Sequence, residues 1–194
     1  MDAPIGVVFI HGNHKKAETW NVTESGKVIG IETLVTKKNF TMLMQIDDFN
    51  VPPLKIVQPL VAEMESRRWV IVCHSLGIIY CHELMKHLKV IGLCLIDPTP
   101  LDEVFQKKIA ESSHLLSYIQ EIKLKIPAKV VCHLHLNYDP NDVDQFNRKI
   151  EYFTPLTRAN QRSKMIVHPN KGHMIHYTDT PKIVESINNL LSFK

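Results

Sequence analysis

Short apolar runs rich in valine and isoleucine recur along this chain, and longer segments between them return their apolar residues every three or four positions. An unbroken apolar run suits a strand buried on both faces, whereas a 3.6-residue period suits a helix with one buried side. The runs fall at 6–10, 40–46, 69–73, 90–96, 129–136 and 164–168. Helical periodicity covers 53–66, 78–88, 101–122, 143–153 and 181–193, the last with Ile183, Ile187, Leu190 and Leu191 on one side. Parallel strands cannot be joined by tight turns and need crossovers of this length. The expected architecture is therefore α/β, a mostly parallel central sheet with helices on both faces. At 194 residues and 44% hydrophobic, the chain has enough material for one core, and 1–194 is read as a single domain. The segment 12–38 is the least regular, with a short helix near Glu18 to Trp20 and an apolar patch at 28–34.

Several function classes lose support at this level. A formal charge of +3 with scattered lysines gives no basic face for nucleic acid or an anionic membrane. No run approaches the roughly 20 apolar residues that span a bilayer, and the N-terminus lacks the basic start and long apolar stretch of a signal peptide. Cys73, Cys81, Cys94 and Cys132 lie inside apolar segments without CxxC spacing, which reads as buried reduced thiols. A cytoplasmic location is expected on these grounds, and the sequons at Asn21 and Asn39 are then coincidental. His133 and His135 share a strand face and suggest zinc, but no third ligand stands at a suitable spacing, so neither a metal nor a cofactor is expected.

The segment VIVCHSLGIIY, 70–80, joins a strand to a helix with no polar loop between them. Ligands of a doubly wound sheet sit beyond the carboxyl ends of its strands, so Ser75 stands at the functional edge. A serine thrust out on such a turn needs small neighbours, and Gly77 meets that need while Cys73 stands where a second glycine is expected. The Leu76 N–H lies at the helix N-terminus, where the helix dipole favours an oxyanion. An alternative stays open at this point: Ser75 as a helix cap.

A nucleophilic serine needs a base and a carboxylate that orients it. In MIVHPNKGHMIHYTDTP a glycine-containing loop follows a strand and places His173 just before the last helix. In HLNYDPND, Asp139 lies just beyond another strand. The order along the chain is Ser, Asp, His.

These motifs resemble those of the α/β-hydrolase superfamily over nearly the whole chain. CHSLG is similar to the nucleophile elbow G-x-S-x-G, and VVFIHGN to the first long strand with its His-Gly oxyanion turn. LNYDP resembles the segment bearing the triad acid, and KGHMIHYTDTPKIVESINNLL the closing segment with its histidine. The resemblance implies an α/β-hydrolase fold with Ser75 as nucleophile, His173 as base and Asp139 as orienting acid. It also implies that the N–H groups of Asn13 and Leu76 form the oxyanion hole. His176, Asp97 and Asp142 compete for the base and acid roles, with Asp97 at a strand end from which some members supply the acid. His11 and His74 read as packing or turn residues. The implied function is a serine hydrolase acting on a small-molecule carboxylic ester or thioester of modest size, because the cap region, about 98–125, is short. The alternative is a non-catalytic binding or interaction module, suggested by Cys73 and by Ile78 after Gly77. The sequence is silent on oligomeric state.

Overall fold

The computed structural model describes residues 3–13, 15–16, 19–20, 35, 40–109, 114–122 and 125–193. Most of the irregular segment, including Glu18 and the apolar patch at 28–34, lies outside them. The strands are β1 (Ile5–Ile10), β2 (Phe40–Met44), β3 (Arg68–His74), β4 (Lys89–Ile96), β5 (Val131–Tyr138) and β6 (Lys164–Pro169). The helices are α1 (Pro53–Met64), α2 (Ile78–His87), α3 (Glu103–Gln106), α4 (His114–Glu121), α5 (Val143–Arg158), α6 (Ile175–Thr178) and α7 (Thr180–Ser192). All six strands pair in parallel, in the order β2-β1-β3-β4-β5-β6.

Alternate side chains of each strand enter different cores, as a period of two requires. Val8, Ile10, Ile71, Cys73, Leu93 and Leu95 pack on one face with Val57 of α1, Leu84 of α2 and Phe153 of α5. Val7, Phe9, Val70, Val72, Cys94 and Ile96 pack on the other with Ile183, Ile187 and Leu190 of α7. Both faces are covered, which is why the strands read as continuous apolar runs.

Three expected elements end differently. The ladder between β1 and β2 stops at Ile10 opposite Met44, and the Ile46 N–H donates instead to His11 Nε2 at 3.0 Å. The region 101–122 holds two helices rather than one, α3 being capped by the Asp102 carboxylate, which accepts from the Phe105 N–H. Helix α5 runs past Pro155 to Arg158. An interior proline removes one helical hydrogen bond, but Phe153 and Leu156 on either side of it are buried and hold the helix to the sheet.

The order reverses at β1, whose two neighbours are β2 and β3. Crossovers leaving β1 and β3 turn away from one another and open a crevice beyond their carboxyl ends. Into that crevice the fold sends residues 11–13 after β1 and Ser75 after β3.

Candidate active site

Strand β3 ends at His74 in extended conformation, Ser75 to Gly77 form one 3-10 turn, and α2 starts at once with Ile78. Ser75 sits at φ 52°, left-handed backbone that costs an L-residue on the order of 1–2 kcal/mol. The surrounding contacts hold it there. A Cβ on Gly77 would lie 2.8 Å from the His11 carbonyl oxygen, so only glycine lets the start of α2 approach the end of β1. A Cβ on Gly12 would lie 2.9 Å from Ser75 Cβ, placing the turn after β1 directly against the serine. Cys73 does not prevent the elbow. Its side chain is wholly buried in the core beside Cys81, away from the turn, and Ile78 is buried likewise.

His173 reaches the same crevice from the loop between β6 and α6. Asn170 at φ 54° and Gly172 at φ 70° bend this loop. The Asn170 N–H donates to the Tyr138 carbonyl, and the Lys171 N–H to Asn137 Oδ1. His74 Nε2 donates to the His173 carbonyl at 3.0 Å, and the two rings lie 4.5 Å apart. Burial, then the neighbouring His176 and His173, push His74 well below the ordinary histidine range. It is thus a neutral support for the loop.

The carboxylate on His173 belongs to Asp97, whose Oδ2 accepts from His173 Nδ1 at 2.5 Å. Asp97 directly follows β4 at φ 40°, and its N–H donates to the His135 carbonyl. Its Oδ1 accepts from Lys149 Nζ at 2.6 Å and from the Asn137 N–H at 3.2 Å. Burial pushes this carboxyl up, but the His173 hydrogen bond and the Lys149 charge outweigh it and leave it below its ordinary value. Thr99, two residues on, donates its N–H to the Ser75 carbonyl and sets its hydroxyl 3.4 Å from Ser75 Oγ.

The expectation that Asp139 orients His173 is corrected here. Asp139 is half-buried, and its Oδ1 accepts from the N–H and the side-chain amide of Asn141. Asp142 caps α5 through the Gln145 N–H. His176 is wholly buried, its ring packed at a tilt against Trp20, Tyr177 and His74. Burial, then His173 and Lys15, lower its pKa to about 3, and it does not face the crevice as a base. His11 bonds the Gly12 carbonyl through Nδ1 and serves the turn. Ser75, Asp97, Thr99, Asn137 and His173 line one cleft of about 490 Å³, and Asp139 lines it as well. No hydrogen bond joins Ser75 Oγ to His173 among the described residues; such bonds are often long in enzymes without substrate and tighten when it binds. Asn13 follows Gly12 in an exposed turn, and Leu76 is the residue after the serine at the start of the elbow turn.

Sequence reasoning missed Lys149, Thr99 and Asn137. One sequence signal for the acid was present: Asp139-Pro140-Asn141-Asp142 is turn and cap chemistry, already committed locally. His135 is engaged by His168 and Ser186, and no group of three or more metal-binding side chains occurs among the described residues. Nor is any of their helices long and apolar enough to cross a membrane.

No family model matches this sequence, and no curated protein sequence matches it. Solved structures do. The Smu.1393c protein of Streptococcus mutans superposes with a TM-score of 0.62 at 14% identity, covering 100% of this chain and 92% of that one. Epoxide hydrolases of the α/β-hydrolase superfamily from hot-environment metagenomes give 0.59 at 12%, covering 100% and 92%. The carboxylesterase CesB of Bacillus subtilis gives 0.56 at 11%, covering 99% and 85%. With its parallel sheet, its reversal at β1 and its serine elbow after β3, the chain has the fold of the α/β-hydrolase superfamily.

Proposed function

We propose that the protein is a serine hydrolase that cleaves a carboxylic ester or thioester of modest size, with Ser75 as nucleophile, His173 as base and Asp97 as orienting acid. The observation that carries this reading is the 2.5 Å bond from His173 Nδ1 to buried Asp97, made by a half-exposed ring in the cleft that Ser75 lines. An orienting carboxylate on Nδ1 leaves Nε2 free to take a proton from the serine.

In this mechanism Ser75 Oγ attacks the acyl carbon while its proton passes to His173 Nε2. The N–H groups of Leu76 and Asn13 hold the resulting oxyanion, and the imidazolium returns the proton to the leaving alcohol or thiol. Water, deprotonated by His173, then attacks the acyl-enzyme and releases the acid and Ser75. Asp97 stays ionised throughout. CesB, described as a carboxylesterase, supports ester chemistry. From the region 98–125, Pro98, Thr99, Pro100, Phe105 and Lys108 line the cleft, a small cover that suits an acyl group of modest size.

A fluorophosphonate probe tests the reading. Labelling of wild type that disappears in Ser75→Ala is expected; labelling that does not depend on Ser75 overturns it. The binding-module reading is favoured by one feature, the Ser75 hydroxyl within hydrogen-bond distance of Thr99 and not bonded to the imidazole, and absence of labelling would favour it further.

A further inference from the structure

Lys149 is the one lysine of α5, and although it lies on a helix with a largely exposed polar face, its side chain is turned inward and almost wholly buried, 5% exposed. A buried ammonium needs a compensating partner, and here that partner is Asp97, itself 2% exposed. The pair spans from the middle of α5 to the carboxyl end of β4. It is not needed to hold the helix, which Phe153 and Leu156 already bury against the sheet. Its geometry bears on the site instead. The ammonium and the Asn137 N–H both occupy Oδ1, so rotation of the carboxylate would break two hydrogen bonds, and Oδ2 is left aimed at His173.

We propose that Lys149 is a positioning residue for His173, acting through Asp97: it locks the carboxylate in the rotamer that orients the imidazole and offsets part of the negative charge the imidazole faces. This rests on the hydrolase reading above. Of the groups around His173, His74 from β3 and His176 from α6 are both held neutral. Arg148, beside Lys149 on α5, is committed to Asp102, which precedes α3. Asp139, Asp142 and Lys108, which follows α3, also line the cleft. Lys149 is the cation that shares the carboxylate with His173.

The expected signature separates charge from position. Lys149→Gln retains a donor for Oδ1 and loses the charge. The acid limb of its rate–pH profile on p-nitrophenyl butyrate moves up by about one pH unit, with plateau kcat within about threefold of wild type. Lys149→Met loses both, so the same displacement comes with a fall in kcat of about tenfold or more at nearly unchanged KM. The NMR titration of the His173 imidazole in wild type and Lys149→Gln reads the charge effect without turnover. Unmoved profiles and an unmoved imidazole titration overturn the proposal, as does a loss that falls on KM alone. Failure of both variants to fold makes Lys149 structural and overturns it too. If wild type takes no fluorophosphonate label, the hydrolase reading fails, while the imidazole titration still judges whether Lys149 acts on His173.

Discussion

Two histidine–aspartate pairs occupy this molecule, and they end in opposite places. His173 gives Nδ1 to Asp97 at 2.5 Å, and His168 gives Nδ1 to Asp179 at 2.9 Å. The second pair even continues toward a serine, through His168 Nε2 to His135 Nδ1 and His135 Nε2 to Ser186 Oγ. Residue types alone would make it a better relay than the first. What differs is the surroundings of the ring. His168 and His135 are fully buried between the sheet and α7, and their ring nitrogens are taken up by protein groups. His173 is half exposed and has spent only one nitrogen. A catalytic constellation needs an unspent valence facing a space where substrate fits, and only the first pair has one.

The largest expected effect is at Asp97. Replacement by asparagine reverses the favoured imidazole tautomer and lowers turnover by about 10⁴, measured as ester hydrolysis with circular dichroism confirming the fold. Retained turnover would transfer the acid role elsewhere. Asp179→Asn is the counterpart: turnover stays within about twofold, whereas urea denaturation gives a loss of about 1–3 kcal/mol from an undercompensated buried ring. A large activity loss there would end the distinction between the pairs.

Acid sharpens the contrast further. Burial first, then neighbouring histidines or lysines, lowers the folded pKa of His135 to about 3 and of His133 to about 4, against about 6.5 in an unfolded chain. Below about pH 6.5 the unfolded state therefore binds protons that the folded state refuses. The stability these rings contribute is whole above that pH and drains away as pH falls toward 4. Thermal melts at pH 7 and pH 5 check this, and an equal or higher midpoint at pH 5 would contradict it. The smallest effect is at Asp139, where asparagine leaves turnover within about twofold and loses only local turn contacts.

Much of this was legible in the sequence. The strands lie within two residues of the apolar runs that announce them, because a strand buried on both faces leaves no polar interruption inside it. That Ser75 and His173 stand at the carboxyl edge of the sheet and line one cleft was legible as well, each marked by a nearby glycine. The carboxylate that His173 bonds was not, because Asp97 and Asp139 follow adjacent parallel strands at nearly matching positions, and spacing ranks them without deciding between them. The deciding partner, Lys149, sits 52 positions from Asp97, in a helix whose polar residues otherwise read as solvent-facing. Distant pairing of that kind has no local signature. The run of α5 past Pro155 was hidden for a similar reason, since proline speaks locally while the burial of Leu156 depends on the whole sheet.

The four thiols carry a last consequence. Cys73, Cys81, Cys94 and Cys132 are all free and sealed in the core, and burial pushes Cys73, Cys94 and Cys132 up, away from the thiolate that reacts. Thiol reactivity is thereby held back in the folded chain. Thiol-directed alkylating agents should pass the native protein by, and on the hydrolase reading a fluorophosphonate that captures it should be found on Ser75.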